Sequence, residues 1–200
     1  MTNLAIKERT INLGDLVILV ADPNPYLRKL IFGMLRGFGA NKLLEVDGLP
    51  SLLQTLTGQK IDILLCDMRF PPIGGLKITE NIRRTESNEN RTMPILIMSG
   101  DGRETTIKSA RDAGANMVVA KPISAKSLYD RLAWIAFTPR KFVDTATYFG
   151  PDRRFKIEGY PNGVGRRKGD NVLDVAEPVG PTLAQDDIDS LFSATRTGQS

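Results

Sequence analysis

Four polar residues stand just behind short apolar runs. Asp22 follows 16–20 (LVILV), Asp67 follows 61–66 (IDILLC), Ser99 follows 95–98 (ILIM) and Lys121 follows 117–120 (MVVA). Singly, each has an ordinary explanation: an aspartate behind a strand is commonly a turn former or helix cap, and a lone serine or lysine is a turn residue or a solvated charge. Together, four such residues converging on one edge of one sheet would be a site whose chemistry uses carboxylates, a lysine, a hydroxyl and backbone groups. The chain has no histidine, which removes Ser-His and Cys-His catalytic pairs and the usual zinc ligands. Its single cysteine, Cys66, allows no intramolecular disulfide and is expected to be a small buried strand residue. A reducing cytoplasm fits this cysteine usage.

Those four residues matter only if the elements before them converge. The apolar runs are short, rich in Val, Ile and Leu, and not alternating, as strands buried on both faces are. A weaker strand is expected at 42–46 (KLLEV). Between the runs lie helical patterns. Leu27, Leu30, Ile31, Met34, Leu35 and Phe38 recur at spacings of three and four behind an Asn24-Pro25 start, and Gly39 supplies a stop. Leu76, Ile78, Ile82 and Arg83 mark a further helix, and Ser124 caps a last one striped by Leu128, Leu132, Ile135 and Ala136. Five alternations of strand and helix predict an α/β fold, a doubly wound five-stranded parallel sheet of flavodoxin-like order 2-1-3-4-5. In such a sheet ligands bind beyond the carboxyl ends of the strands, where the four polar residues fall.

The segments VILVADPNPYLR, IDILLCDMRFPPIGGLK, ILIMSG and AGANMVVAKPIS occur in this order and resemble the signature segments of the CheY-like receiver domains of two-component response regulators. The resemblance covers roughly 12–138. It implies phosphoryl transfer to Asp67 from a sensor histidine kinase or phosphotransfer protein, with no enzymatic output of the chain's own. It also implies that Mg2+ is held by Asp22, Asp67 and the Arg69 backbone carbonyl, while Ser99 and Lys121 bind the phosphoryl oxygens and Lys121-Pro122 forms a cis bond. Three positions depart from the family pattern. Pro23 stands where a second acid is usual, so weak metal binding is expected. Gly74 replaces a frequent aspartate, and Val118 replaces a frequent aromatic switch residue.

From 139 onward Pro and Gly interrupt every pattern. Residues 139–181 are expected to be a Pro/Gly/Arg-rich linker or largely disordered tail, and 182–193 a short amphipathic docking helix. Within 140–168 eight Lys or Arg meet three acids, whereas 169–189 holds six acids and no Lys or Arg. Arg153, Arg154, Arg166 and Arg167, interleaved with aromatic residues, form a candidate nucleotide site, with a faint likeness to arginine-rich segments that bind cyclic di-GMP. TLAQDDIDSLF at 182–192 resembles the flagellar switch peptide of FliM that CheY binds. Its Ile188, Leu191 and Phe192 share one helix face. The expected partner is therefore another receiver or a flagellar or chemotaxis component. A cyclic di-GMP-sensing adaptor and a nucleic-acid regulator acting through the basic block are the alternatives. The tail contains no pair of amphipathic helices of the helix-turn-helix type, so DNA is not the expected partner, and no apolar run reaches membrane-spanning length.

Overall fold

The computed structural model describes residues 11–153 and the backbone of 171–173. Its main body alternates β1 (Val17–Ala21), α1 (Pro25–Gly37), β2 (Lys42–Val46), α2 (Leu49–Gly58), β3 (Ile63–Asp67), α3 (Gly75–Arg84), β4 (Ile95–Ser99), α4 (Glu104–Asp112), β5 (Met117–Ala120) and α5 (Ala125–Phe137). The five strands form a parallel sheet of order β2-β1-β3-β4-β5, the flavodoxin-like order expected.

Strand side chains alternate across the sheet and so feed two cores. Leu19, Ala21, Leu64, Cys66, Ile95 and Ile97 pack on one face with Leu52 and Leu56 of α2, Ile78 and Ile82 of α3 and Ala110 of α4. Ile18, Val20, Ile63, Leu65, Leu96 and Met98 pack on the other with Ile31 and Leu35 of α1 and Leu128 and Leu132 of α5. Both faces are covered, so the strands carry no polar alternation. Local chemistry sets the helix starts: the Asn24 side chain accepts from the Tyr26 and Leu27 N–H groups ahead of Pro25, and the Ser124 hydroxyl accepts from Ser127 N–H at 3.1 Å.

The folded body does not end at 138. The first part of the expected linker is a hairpin of β6 (Phe142–Asp144) and β7 (Phe149–Pro151), and β8 (Asn171–Leu173) pairs with the other edge of β6. These strands have three residues each, too short to show a period, and they include the proline and glycine that pointed to open chain. Tertiary contacts hold them instead. Phe142, Val143 and Phe149 are buried. The Arg83 guanidinium lies 5.0 Å from the Phe142 ring centre and that of Arg91 3.5 Å from Phe149. Arg91 Nε donates to the Arg83 carbonyl and Arg83 Nε to the Gly114 carbonyl. Gly114 has φ +96° and lies against both Arg83 and the Phe149 carbonyl, so a side chain there would part the hairpin from the body. Burial lowers the Arg83 pKa to about 9, which still leaves it charged at neutral pH. Arg83, Arg91 and Gly114 precede β4 and β5, so the hairpin sits at the amino-terminal edge of the sheet.

Phe149→Ala is expected to lower the unfolding free energy by about 3 kcal/mol, the low end for removing a buried phenylalanine. Urea unfolding of the full chain checks this; an unchanged midpoint would mean that the hairpin adds nothing to the fold.

Candidate functional site

The sheet order places β1 beside β3, and the two aspartates behind them meet. Asp22 is 1% exposed and Asp67 7%. Two buried carboxylates need compensation, and Lys121 supplies it: its Nζ lies 2.7 Å from Asp22 Oδ2 and 2.5 Å from Asp67 Oδ1. Burial alone would lower the Lys121 pKa, but the hydrogen bonds and charges of Asp22 and Asp67 outweigh it and hold the ammonium above its ordinary value. Lys121 is thus a cation throughout the neutral range. The remaining carboxylate oxygens take backbone donors. Asp22 Oδ1 accepts from Asn24 N–H at 2.8 Å, and Asp67 Oδ2 accepts from Arg69 N–H at 2.9 Å.

Ser99 lies on the same edge, 2% exposed. Its hydroxyl donates to the Asp101 carbonyl and accepts from the Asp101 N–H, both at 3.0 Å, so it is engaged with its own loop rather than with Asp67. Asp101 is fixed in turn by Arg103, at 2.6 Å, and by Thr106. The Arg103 hydrogen bonds hold the Asp101 carboxyl well below the usual carboxylate range. Arg69 contributes its N–H to the Asp67 carboxylate, which brings its backbone to the site. Lys121-Pro122 is cis, as expected, and so is Pro71-Pro72.

Two glycines bear on Asp67, the expected acceptor. Gly74 has φ +81°, which explains a glycine where the family often has aspartate, and a Cβ on Gly75 would fall inside contact distance of the Asp67 carbonyl oxygen. The start of α3 can approach Asp67 only because Gly75 has no side chain. The GG pair was the sequence signal for this. Cys66 is buried as expected; burial, with the neighbouring Asp67 and Asp22 charges, pushes its thiol pKa well up, so it is no nucleophile. Val118 is half-buried on β5.

Among the described residues, no group of three or more acidic, histidine or cysteine side chains is placed to hold a metal ion. Asp22 and Asp67 are the acidic pair brought together there by Lys121, and the Pro23 side chain offers no ligand oxygen. Arg153 is tied to Asp112 at 3.0 Å and stacks 3.7 Å from the Tyr148 ring centre. Arg154, Arg166, Arg167, Ile188, Leu191 and Phe192 lie outside the described residues. No helix among the described residues is long and apolar enough to cross a membrane.

Buried aspartates on adjacent strands, bridged by a lysine from beyond β4 in a 2-1-3-4-5 sheet, define a receiver-type α/β protein. The response regulator receiver domain model matches residues 18–133, more than half of the chain, and the protein belongs to that family. It is 28% identical over 118 residues to the chemotaxis protein CheY-3 of Vibrio cholerae, a match covering 59% of this chain and 89% of that one. It is 29% identical over 130 residues to the sensory/regulatory protein RpfC of Xanthomonas campestris, covering 65% of this chain but only 18% of RpfC. The receiver domain of a sensor histidine kinase from Pseudomonas aeruginosa, solved with a magnesium ion in its active site cleft, superposes with TM-score 0.52 at 27% identity. That match covers 60% of this chain and 96% of the other.

Gly75→Ala is expected to displace the Asp67 backbone and, with Asp67 as the expected phosphoryl acceptor, to slow acyl-phosphate formation from acetyl phosphate at least tenfold (roughly 1.4 kcal/mol in the barrier). Intact-mass time courses test it; a native rate in Gly75→Ala would show that the close approach is dispensable.

Proposed function

We propose that this chain accepts a phosphoryl group on Asp67 from a phosphohistidine donor and passes the signal on by protein contact, in the cytoplasm and without an enzymatic output. The observation that carries the reading is the shared bonding of Asp22 and Asp67 to Lys121. In the transfer, an Asp67 carboxylate oxygen attacks phosphorus, the new P–O bond forms as the P–N bond breaks, and the imidazole leaves. Asp67 Oδ2 is oriented by the Arg69 N–H. Lys121 is positioned to follow the negative charge from the carboxylate to the phosphoryl oxygens. Ser99 can donate to the same group once its hydroxyl turns from the Asp101 carbonyl.

The donor set suits a hard divalent cation: the Asp22 and Asp67 carboxylates and the Arg69 carbonyl are the residues that would hold Mg2+. Mg2+ supplies neutralisation of phosphoryl charge at this site. With Pro23 in place of an acid, its binding is weak.

Donor docking is supported by Tyr26 and Leu30, which are 81% and 51% exposed on the first turns of α1, next to Asp22. A role in chemotaxis or motility is supported by the likeness to CheY-3 and by the segment 182–192, whose Ile188, Leu191 and Phe192 form the apolar face of a docking helix for a receiver surface.

Asp67→Asn keeps the shape and removes the nucleophile. The variant is expected to gain no phosphate from acetyl phosphate and Mg2+ while melting as a folded protein; one phosphate by intact mass on the variant would overturn the assignment. For the tail, a peptide of 182–193 is expected to bind a CheY-like receiver, and the same peptide with Ile188→Ala and Phe192→Ala is not, because the remaining leucine buries too little area to offset helix ordering. Equal titrations with both peptides would remove the docking role.

A further inference from the structure

We propose that Arg28 is a positioning residue of the acceptor site, aiming Asp22 through its backbone, and that Glu45 is there to neutralise it. The inference rests on the reading of Asp67 as acceptor. Arg28 lies in the first turn of α1, six residues beyond Asp22, and is only 9% exposed. Its Nη1 donates to the Asp22 main-chain carbonyl at 2.7 Å, and its Nε donates to Glu45 Oε2 at 2.9 Å. A planar guanidinium serves two acceptors in fixed directions, which a lysine ammonium does not.

Asp22 depends on this more than an aspartate in a doubly acidic turn would. It is followed by Pro23, which has neither a carboxylate to share the work nor an N–H to anchor the turn. The chain therefore fixes Asp22 from several sides. Its N–H donates to the Val46 carbonyl at 3.2 Å, its carbonyl takes Arg28, and its two carboxylate oxygens take Asn24 N–H and Lys121. Of these, Arg28 ties the residue to α1 and β2 together. Loss of that tie leaves a buried carbonyl without its charged donor and lets the Asp22–Asn24 turn move, taking the carboxylate with it.

The same arginine brings an unwelcome charge. A guanidinium beside Asp22 opposes any cation that the two aspartates attract. Glu45, opposite Val20 in the β1–β2 pairing and with its side chain 49% exposed, cancels that charge. Asp22, Asp67 and Glu45 against Lys121 and Arg28 leave one net negative charge. Positioning and field can therefore be separated by substitution.

The experiment uses the full chain in four forms: native, Arg28→Gln, Glu45→Gln and the double variant, each titrated with Mg2+ by calorimetry and assayed for acyl phosphate by intact mass. Removing a positive charge alone should tighten Mg2+ binding. Positioning instead predicts that Arg28→Gln weakens it by about tenfold or more, the range for groups that orient metal ligands through hydrogen bonds. It also predicts that the double variant, whose charge balance equals the native one, stays weak and labels slowly. If Arg28→Gln does not melt cooperatively, Arg28→Lys replaces it with the same expected loss. Native or tighter affinity in Arg28→Gln, or native behaviour in the double variant, would leave Arg28 no positioning role. A native chain that takes no phosphate overturns the acceptor reading itself, whereas labelling of the native chain with unchanged Mg2+ affinity in Arg28→Gln overturns only the role of Arg28.

Discussion

The site depends on one arrangement of charge, in which two aspartates less than a tenth exposed share one lysine ammonium. Two carboxylates at that depth need a compensating partner, and Lys121 comes from the end of a strand that pairs with neither β1 nor β3. It reaches them across the end of β4, where the chain carries the small Ser99, and its own N–H is fixed to the Ser99 carbonyl at 2.7 Å. The strand order is thus a requirement of the chemistry: β1 and β3 must be neighbours to pair the acids, and β5 must lie one strand further out for a four-carbon stem to close the triangle. Phosphoryl transfer to Asp67 would change the charge that Lys121 balances, and Ser99 and its Asp101–Arg103 loop are the next groups to feel that change.

Much of this was legible in the residues. Four apolar runs and the weaker KLLEV gave the five strands, and the polar residue behind each of the four runs gave the site, because in a parallel sheet all the carboxyl ends lie on one edge. Asn24-Pro25 and Ser124 marked helix starts through hydrogen bonds that are local in sequence. The stripe Leu76, Ile78, Ile82 and Arg83 on α3 carried more than it seemed to: the arginine in an apolar stripe is a fully buried cation, satisfied by the carbonyls of Gly114 and Arg91 and the Asn116 side chain.

What the residues hid was non-local. The hairpin at 142–151 owes its place to Arg83 and Arg91, which lie at least fifty residues earlier, and a Pro/Gly-rich composition says nothing about such partners. Gly75 could be read as a turn residue but not as the point where α3 presses on the Asp67 carbonyl. Arg28 has no mark of its own in the sequence, because its role comes from two acceptors, one on β2 and one behind β1. The carboxyl edge holds the cluster of Asp22, Asp67 and Lys121, and the amino edge holds the hairpin, which lies beyond the stretch matched by the family model.

The central claim, that Asp67 is the residue phosphorylated, is tested most directly by locating the modification. After incubation with acetyl phosphate and Mg2+, borohydride reduces an aspartyl phosphate to an alcohol, and peptide mass spectrometry reads the position. The account predicts a single reduced side chain at Asp67. Reduction at Asp22 or at another acid, or none under conditions where a control receiver is fully labelled, would contradict it.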